Sequence, residues 1–229
     1  MKTLRRYAAD AGIVITLGLA SALCGAMLVV RVVVTRDLGP TSMIWNLFLA
    51  WLPLLLALAA RVLYSTHRWL RYPAFALCAG LWLLFFPNAP YMLTDLIHLR
   101  PDSIVPLWYD ALLLLAFAWT GLLLGFISLY LMQSLVAQSL GRIPGWLFAL
   151  GSLGLSAFGI YLGRFLRWNS WDVFYTPLAV LGDVWARVRH PLAHSQTYTF
   201  TLLLAAFLVV AYLGLFAMTR LKLEHQPTR

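Results

Sequence analysis

Charge is what this sequence has least of. Charged residues make up 11% of its 229 positions, where an ordinary soluble domain carries roughly 25%. So little charge excludes a conventional soluble domain. There are two cysteines, Cys24 and Cys78, each inside an apolar run, which excludes a disulfide framework and a cysteine metal site. The sequence has no Gly-x-Ser-x-Gly elbow, no His-Glu-x-x-His and no phosphate loop. Nucleophilic hydrolysis and metalloprotease chemistry therefore have no motif to stand on. Net charge is +9, yet no lysine- or arginine-rich run resembles a nucleic-acid patch. Basic residues beside apolar spans instead set orientation and touch anionic headgroups.

What the sequence does have is apolar length. It is 62% hydrophobic with a mean hydropathy of +0.82, and several runs reach the ~18–20 residues that cross a bilayer. The expected fold is all-α, a single polytopic membrane domain over 1–229. Spans are expected at about 12–34, 43–60, 72–86 continuing as 90–99, 107–132, 144–162 and 198–218. Lys2, Arg5 and Arg6 precede the first run, which is too long for a secretory leader's core. Leu23 is also too large beside Cys24 for lipoprotein cleavage, so the run reads as an uncleaved span. Arg31, near its end, is expected to snorkel outward. Asp102-Ser103 with Pro106 signals the start of the fourth span. Gly121-x3-Gly125 and Gly159-x3-Gly163 allow close helix approach.

The third span is the unusual one. Pro87 and Pro90 each lack an amide hydrogen and disfavour helical geometry in the residue before them, so the helix should break there. Asn88 can bond backbone groups that the break frees. With a helix resuming at Pro90, Tyr91, Thr94, Asp95 and His98 would share one face. Between spans five and six, Leu178, Leu181, Val184, Trp185 and Val188 fall on one side of a short helix over 177–188. Asp183 and Arg187 form an i, i+4 pair on the other, which reads as an amphipathic helix in the membrane interface.

Ten of the 17 lysines and arginines fall at the termini and on the even loops. This favours termini in the cytoplasm. Six of the eight acidic residues, Asp37, Asp95, Asp102, Asp110, Asp172 and Asp183, lie on the opposite side. Two spans separate the third loop from the fifth, so both open on that side. If the fifth helix continues, Arg164, Arg167, Trp168, Trp171 and Tyr175 form a stripe facing Asp95. Arginines at a span end are costly unless paired or wet. The expected site is thus a polar cluster of Asn88, Tyr91, Thr94, Asp95, His98, Arg164, Arg167, Trp168, Asn169, Trp171 and Asp172.

The strings Phe86-Pro-Asn-Ala-Pro-Tyr-Met-Leu-Thr-Asp-Leu-Ile-His-Leu99 and Gly163-Arg-Phe-Leu-Arg-Trp-Asn-Ser-Trp-Asp172 resemble the bacterial membrane family catalogued as domain of unknown function 1361. The resemblance covers the chain from about the second span to the sixth. It implies a multi-span bacterial inner-membrane protein and brings no activity with it.

Three functions are compatible with these residues. Arginine forks and tryptophan faces suit an anionic lipid headgroup or another envelope component, although basic and aromatic anchors also line membrane interfaces without any ligand. A broken helix beside charges suits a small transporter. An Asp–His couple suits acid–base work, or, with His190 and His194, a divalent metal; buried Asp–His pairs are more often structural networks. The residues name no catalytic group and no cofactor. The lipid bilayer is the one partner they fix; they point to no nucleic acid, and they leave the oligomeric state open.

Overall fold

The computed structural model describes residues 2–66, 71–99 and 104–224. His67, Arg68, Arg100, the Asp102-Ser103 helix-start signal and Arg229 lie outside the described residues, as do the side chains of Lys2, Arg5, Arg6, Arg71, Arg220 and Lys222.

The apolar runs fold into helices that end where the backbone chemistry ends them. Helix α1 covers Lys2–Thr35 and closes on Arg36, which takes left-handed angles (φ 55°). A 3-10 turn over Gly39–Thr41 follows, with the Asp37 carboxylate accepting the Gly39 amide at 2.8 Å. Helix α2, Ser42–Thr66, runs through Pro53, and α3 spans Arg71–Phe85. After the Pro87 interruption come a single α turn, α4 (Asn88–Tyr91), and a 3-10 stretch, Met92–His98. Helix α5, Leu107–Leu140, continues well past the expected end at 132, because nothing breaks it before Gly141 (φ 105°). Helix α6 covers Arg142–Leu166, α7 Asp172–Tyr175, α8 Pro177–Arg189 and α9 Ser195–Glu224. Among the described residues there is no strand.

Among the described residues, six helical segments are long and apolar enough to cross a membrane: Ala11–Thr35, Gly39–Tyr64, Phe75–His98, Leu107–Leu140, Arg142–Leu166 and Ser195–Met218. The expected number of spans and the broken third span are both seen, and the helix expected between spans five and six is α8. The chain forms two compact units, Met1–Met132 and Gln133–Arg229.

In the first unit the core forms where α5 receives the interrupted third span. A Cβ on Gly121 would collide with the Ala89 carbonyl oxygen and stand 3.0 Å from Met92 Sδ; one on Gly125 would stand 3.1 Å from Ala89 Cβ. The two glycines therefore make the notch in which the broken segment sits. Trp82 and Phe86 stack at 4.5 Å just before the break, both fully buried, and Trp82 Nε1 donates to Ser128 Oγ at 3.2 Å.

In the second unit α6 and α9 run antiparallel. Phe165 meets Phe200 at 5.1 Å between ring centres near one end, and Trp146 meets Phe216 at 4.9 Å near the other. Gly145 lets α6 close on the end of α5, since a Cβ there would lie 2.9 Å from Ala137 Cβ. The buried Tyr212 hydroxyl donates to Gln133 Oε1.

Candidate functional site

The interruption in the third span removes hydrogen bonds without reversing the chain. Pro87, Tyr91 and Met92 all keep right-handed helical angles, so the two prolines act here through their missing amides rather than by throwing the backbone into an extended turn. Asn88 Nδ2 donates to the Phe85 carbonyl at 3.0 Å, filling one freed acceptor as the sequence suggested. Tyr91 N still reaches the Pro87 carbonyl at 3.0 Å.

The winding of the next segment corrects the expected polar stripe. Met92–His98 is a 3-10 helix, in which residues three apart eclipse. Asp95 therefore lines up with Met92 and His98, while Thr94 lines up with Tyr91 and Ile97, and the four polar residues no longer share one α-helical face. Thr94 Oγ1 supports the tighter turn by donating to the Tyr91 carbonyl at 2.7 Å. Asp95 is buried, 5% exposed, and accepts from Asn46 Nδ2 on α2 at 3.4 Å. His98 lies at the exposed end of the same row.

A second intramembrane pair in this unit was not foreseen. Arg31 does not snorkel outward. Its Nε donates to Asp110 Oδ1 at 2.8 Å and its Nη2 to Asp110 Oδ2 at 3.3 Å, with the side chains 13% and 9% exposed. Inside an apolar stack a side-on carboxylate gives the guanidinium more than a bent path to water. The available signal was that an arginine at the end of span one and an aspartate opening span four must stand at the same membrane side. Asp37 adds a looser contact at 3.6 Å, and Tyr109 donates to the Met27 carbonyl at 2.8 Å, fixing α5 against α1.

In the second unit the motif starting at Gly163 also departs from a continued helix. α6 stops at Leu166, Arg167 takes left-handed angles (φ 62°), and Trp168 N bonds back to the Leu162 carbonyl at 3.2 Å. This is the closing turn that glycine usually supplies. An arginine there costs roughly 1–2 kcal/mol. The stripe of Arg164, Arg167, Trp168, Trp171 and Tyr175 is thereby broken: Arg164 is half-buried on the last turn and Arg167 is exposed. Asn169 and Asp172 close on each other, with Asp172 Oδ2 accepting the Asn169 backbone amide at 2.6 Å and Asn169 Nδ2 at 3.3 Å. They shape the turn into α7. Trp171 is half-buried beside them.

Trp168 reaches furthest, its Nε1 donating to Asp183 Oδ2 on α8 at 2.8 Å. Asp183 also accepts from Arg187 Nη1 at 3.3 Å, and that nitrogen donates to the Asp183 carbonyl at 2.6 Å. The Arg187 Cζ lies 5.9 Å from the centre of the Tyr161 ring on α6, and Tyr198 on α9 donates its hydroxyl to the Arg187 carbonyl at 2.8 Å. Asp183 and Arg187 of α8 thus turn toward protein, while Arg189 at the end of the helix is exposed. Its apolar row faces outward, with Leu178 83%, Leu181 61%, Trp185 63% and Val188 58% exposed. That is the arrangement of a helix immersed in an apolar medium, the reverse of a helix on a water-facing surface.

Among the described residues no three of His, Cys, Asp and Glu stand close enough to hold one ion. His190 ends α8 and Pro191 begins a turn in which His194 N bonds the Pro191 carbonyl at 3.2 Å, so His190 and His194 do not share a helical face. Sequence reasoning missed Thr197 and Thr201, whose buried hydroxyls open the inward row of α9 that continues through Leu208 and Tyr212. Their i, i+4 spacing ahead of that row was the legible clue.

These features define the class: an all-helical protein with six helices fit to span a membrane, and polar groups held among them. The chain belongs to the family described as protein of unknown function (DUF1361), whose model matches residues 45–211. Both motifs and α8 lie inside the match, and all of α1, including Arg31, lies outside it. No curated protein and no solved structure matches the chain.

Proposed function

We propose that this multi-pass protein of the bacterial inner membrane, with both termini cytoplasmic, binds the headgroup of an anionic lipid at the extracytoplasmic face. The observation that carries this reading is the second motif. It keeps Arg167 exposed in a strained left-handed conformation beside half-buried Arg164, Trp168 and Trp171. Strain of that kind persists only where the surroundings impose it, and it concentrates at ligand sites. Arginine offers phosphate a planar fork, and tryptophan packs against the glycerol and upper acyl region.

The reading extends to a joint site, in which Asp95 with His98 counters Arg164 or Arg167. Charge exchange tests that extension: Asp95→Arg should lower yield and stability, and adding Arg164→Asp or Arg167→Asp should restore part of the loss. Additive losses in both combinations argue against pairing.

Native mass measurement of the purified protein tests the lipid reading. Phosphatidylglycerol or cardiolipin should stay bound where phosphatidylcholine is lost, and Arg164→Gln with Arg167→Gln should reduce that retention. Equal retention of both lipid classes contradicts it. The broken third span also suits a carrier, but here it is seated against glycines and stacked aromatics, which favours a fixed role for it.

A further inference from the structure

Among the described residues of the second unit, four buried side-chain atoms have no hydrogen-bond partner: Ser156 Oγ, Arg187 Nε, Thr197 Oγ1 and Thr201 Oγ1. Most buried polar atoms in folded proteins are paired, so each such atom calls for an explanation. Three of the four belong to one level of the unit. Tyr161 on α6 faces Phe200 on α9 at 6.1 Å between ring centres. Thr201 follows Phe200 directly and Thr197 stands one turn before it, on the face of α9 that carries the buried Leu208 and Tyr212. The Arg187 guanidinium lies over the same Tyr161 ring, at 5.9 Å. Thr197 is 1% exposed, so its hydroxyl is turned wholly into the protein at the first turn of a thirty-residue helix, where backbone amides favour negative charge.

Arg187 is poised for a second acceptor. Its Nη1 serves Asp183, through both the carbonyl and the carboxylate. The opposite edge, Nε with Nη2, donates to no acceptor among the described residues. That edge is the side an arginine presents to a phosphate or carboxylate in a two-point grip; Arg31 uses the same edge on Asp110. An edge of two N–H groups with two hydroxyl donors matches a phosphate. The outward row of α8, Leu178, Leu181, Trp185 and Val188, on the other side of the same helix from Arg187, offers acyl chains an apolar surface. We propose that the Nε–Nη2 edge of Arg187, with the hydroxyls of Thr197 and Thr201, receives the phosphate of a membrane lipid whose acyl chains lie against α8. The proposal rests on the lipid reading above and moves the phosphate from Arg164 and Arg167 to Arg187.

The test uses the full chain in detergent and follows its unfolding midpoint. Three probes are added separately: dioleoylphosphatidylglycerol, dioleoylglycerol and inorganic phosphate. The lipid phosphate should raise the midpoint by several degrees, while dioleoylglycerol and millimolar inorganic phosphate leave it unchanged. Thr197→Val with Thr201→Val keeps the shape and removes the hydroxyls. Without lipid its midpoint should match or exceed the wild type, because two unpaired buried groups are gone, and most of the lipid-induced rise should be lost. Arg187→Lys keeps the charge without the fork and should weaken the lipid response about tenfold.

A double valine variant that keeps the full lipid response overturns the site and leaves the lipid reading standing on Arg164 and Arg167; it would mean that the hydroxyls hold water only. An equal response to inorganic phosphate overturns the lipid as the source. An equal response to dioleoylglycerol overturns the phosphate itself. Loss of lipid retention in Arg164→Gln with Arg167→Gln, with the valine variant unaffected, separates the two assignments from the other direction.

Discussion

Arg31 in the first unit gives its side-on edge to Asp110, whereas Arg187 in the second gives Asp183 a single nitrogen and keeps that edge unused. The contrast extends to the surroundings. Before Met132, Trp82 finds Ser128, Asn88 finds the Phe85 carbonyl, and Cys24 Sγ and Thr120 Oγ1 meet at 3.5 Å. Among the described residues of that unit, the buried side-chain atom without a hydrogen-bond partner, Arg31 Nη1, still lies 3.6 Å from Asp37 Oδ2. Among the described residues from Gln133 onward, four buried side-chain atoms lack hydrogen-bond partners. A bilayer penalises every unmet donor, because no water replaces the missing partner. Among the described residues, buried polar groups of the first unit are thus more fully paired than those of the second.

The sharpest way to break this comparison is to unpair Arg31. Asp110→Asn leaves a buried guanidinium without its countercharge and should cost about 3–5 kcal/mol, read as a large drop in unfolding midpoint and membrane yield. An unchanged midpoint would mean that the pair is wet. Next comes the notch. Gly121→Ala drives a Cβ into the Ala89 carbonyl and should cost about 1–3 kcal/mol. Gly125→Ala, which meets only a methyl at 3.1 Å, should cost less, and the reverse order would show that the broken segment is not seated as described.

In the second unit Asp183→Asn weakens the acceptor of both Trp168 and Arg187. About 1–3 kcal/mol should be lost, and protease should cut the 167–194 connection faster. Equal cutting would show that α8 is held by its apolar row alone. The smallest effect runs the other way: Arg167→Gly relieves the left-handed strain and should stabilise by about 1 kcal/mol, less glycine's own entropy cost. Under the proposed function, lipid retention falls in the same variant even as its unfolding midpoint rises.

Much of this could be read in the residues, and the misses follow a pattern. Apolar length gave the six helices, paired prolines gave the break, and the 3.6-residue spacing gave both faces of α8. Two misses concern winding. No local signal said that Met92–His98 would tighten to a 3-10 helix, or that Arg167 would stop α6 in a conformation normally left to glycine. A tertiary contact accompanies each outcome: Asp95 turns in to Asn46 in the first case, and Trp168 turns to Asp183 in the second. The remaining misses concern partners far apart in sequence. Arg31 and Asp110 are separated by 79 positions, and charge counting assigned them a membrane side without assigning them to each other. Asp183 and Arg187 were read as a pair on the side of α8 opposite its apolar row, and the contact of Asp183 with Trp168 was not foreseen.

Everything assigned to the second unit depends on α8 turning its apolar row to lipid, and a spin label at position 181 tests this most directly. In a Cys24→Ala, Cys78→Ala background reconstituted in vesicles, Leu181→Cys carrying a nitroxide should collide readily with oxygen and rarely with a water-soluble nickel chelate. Frequent collision with the nickel chelate would place that row in water and contradict the account.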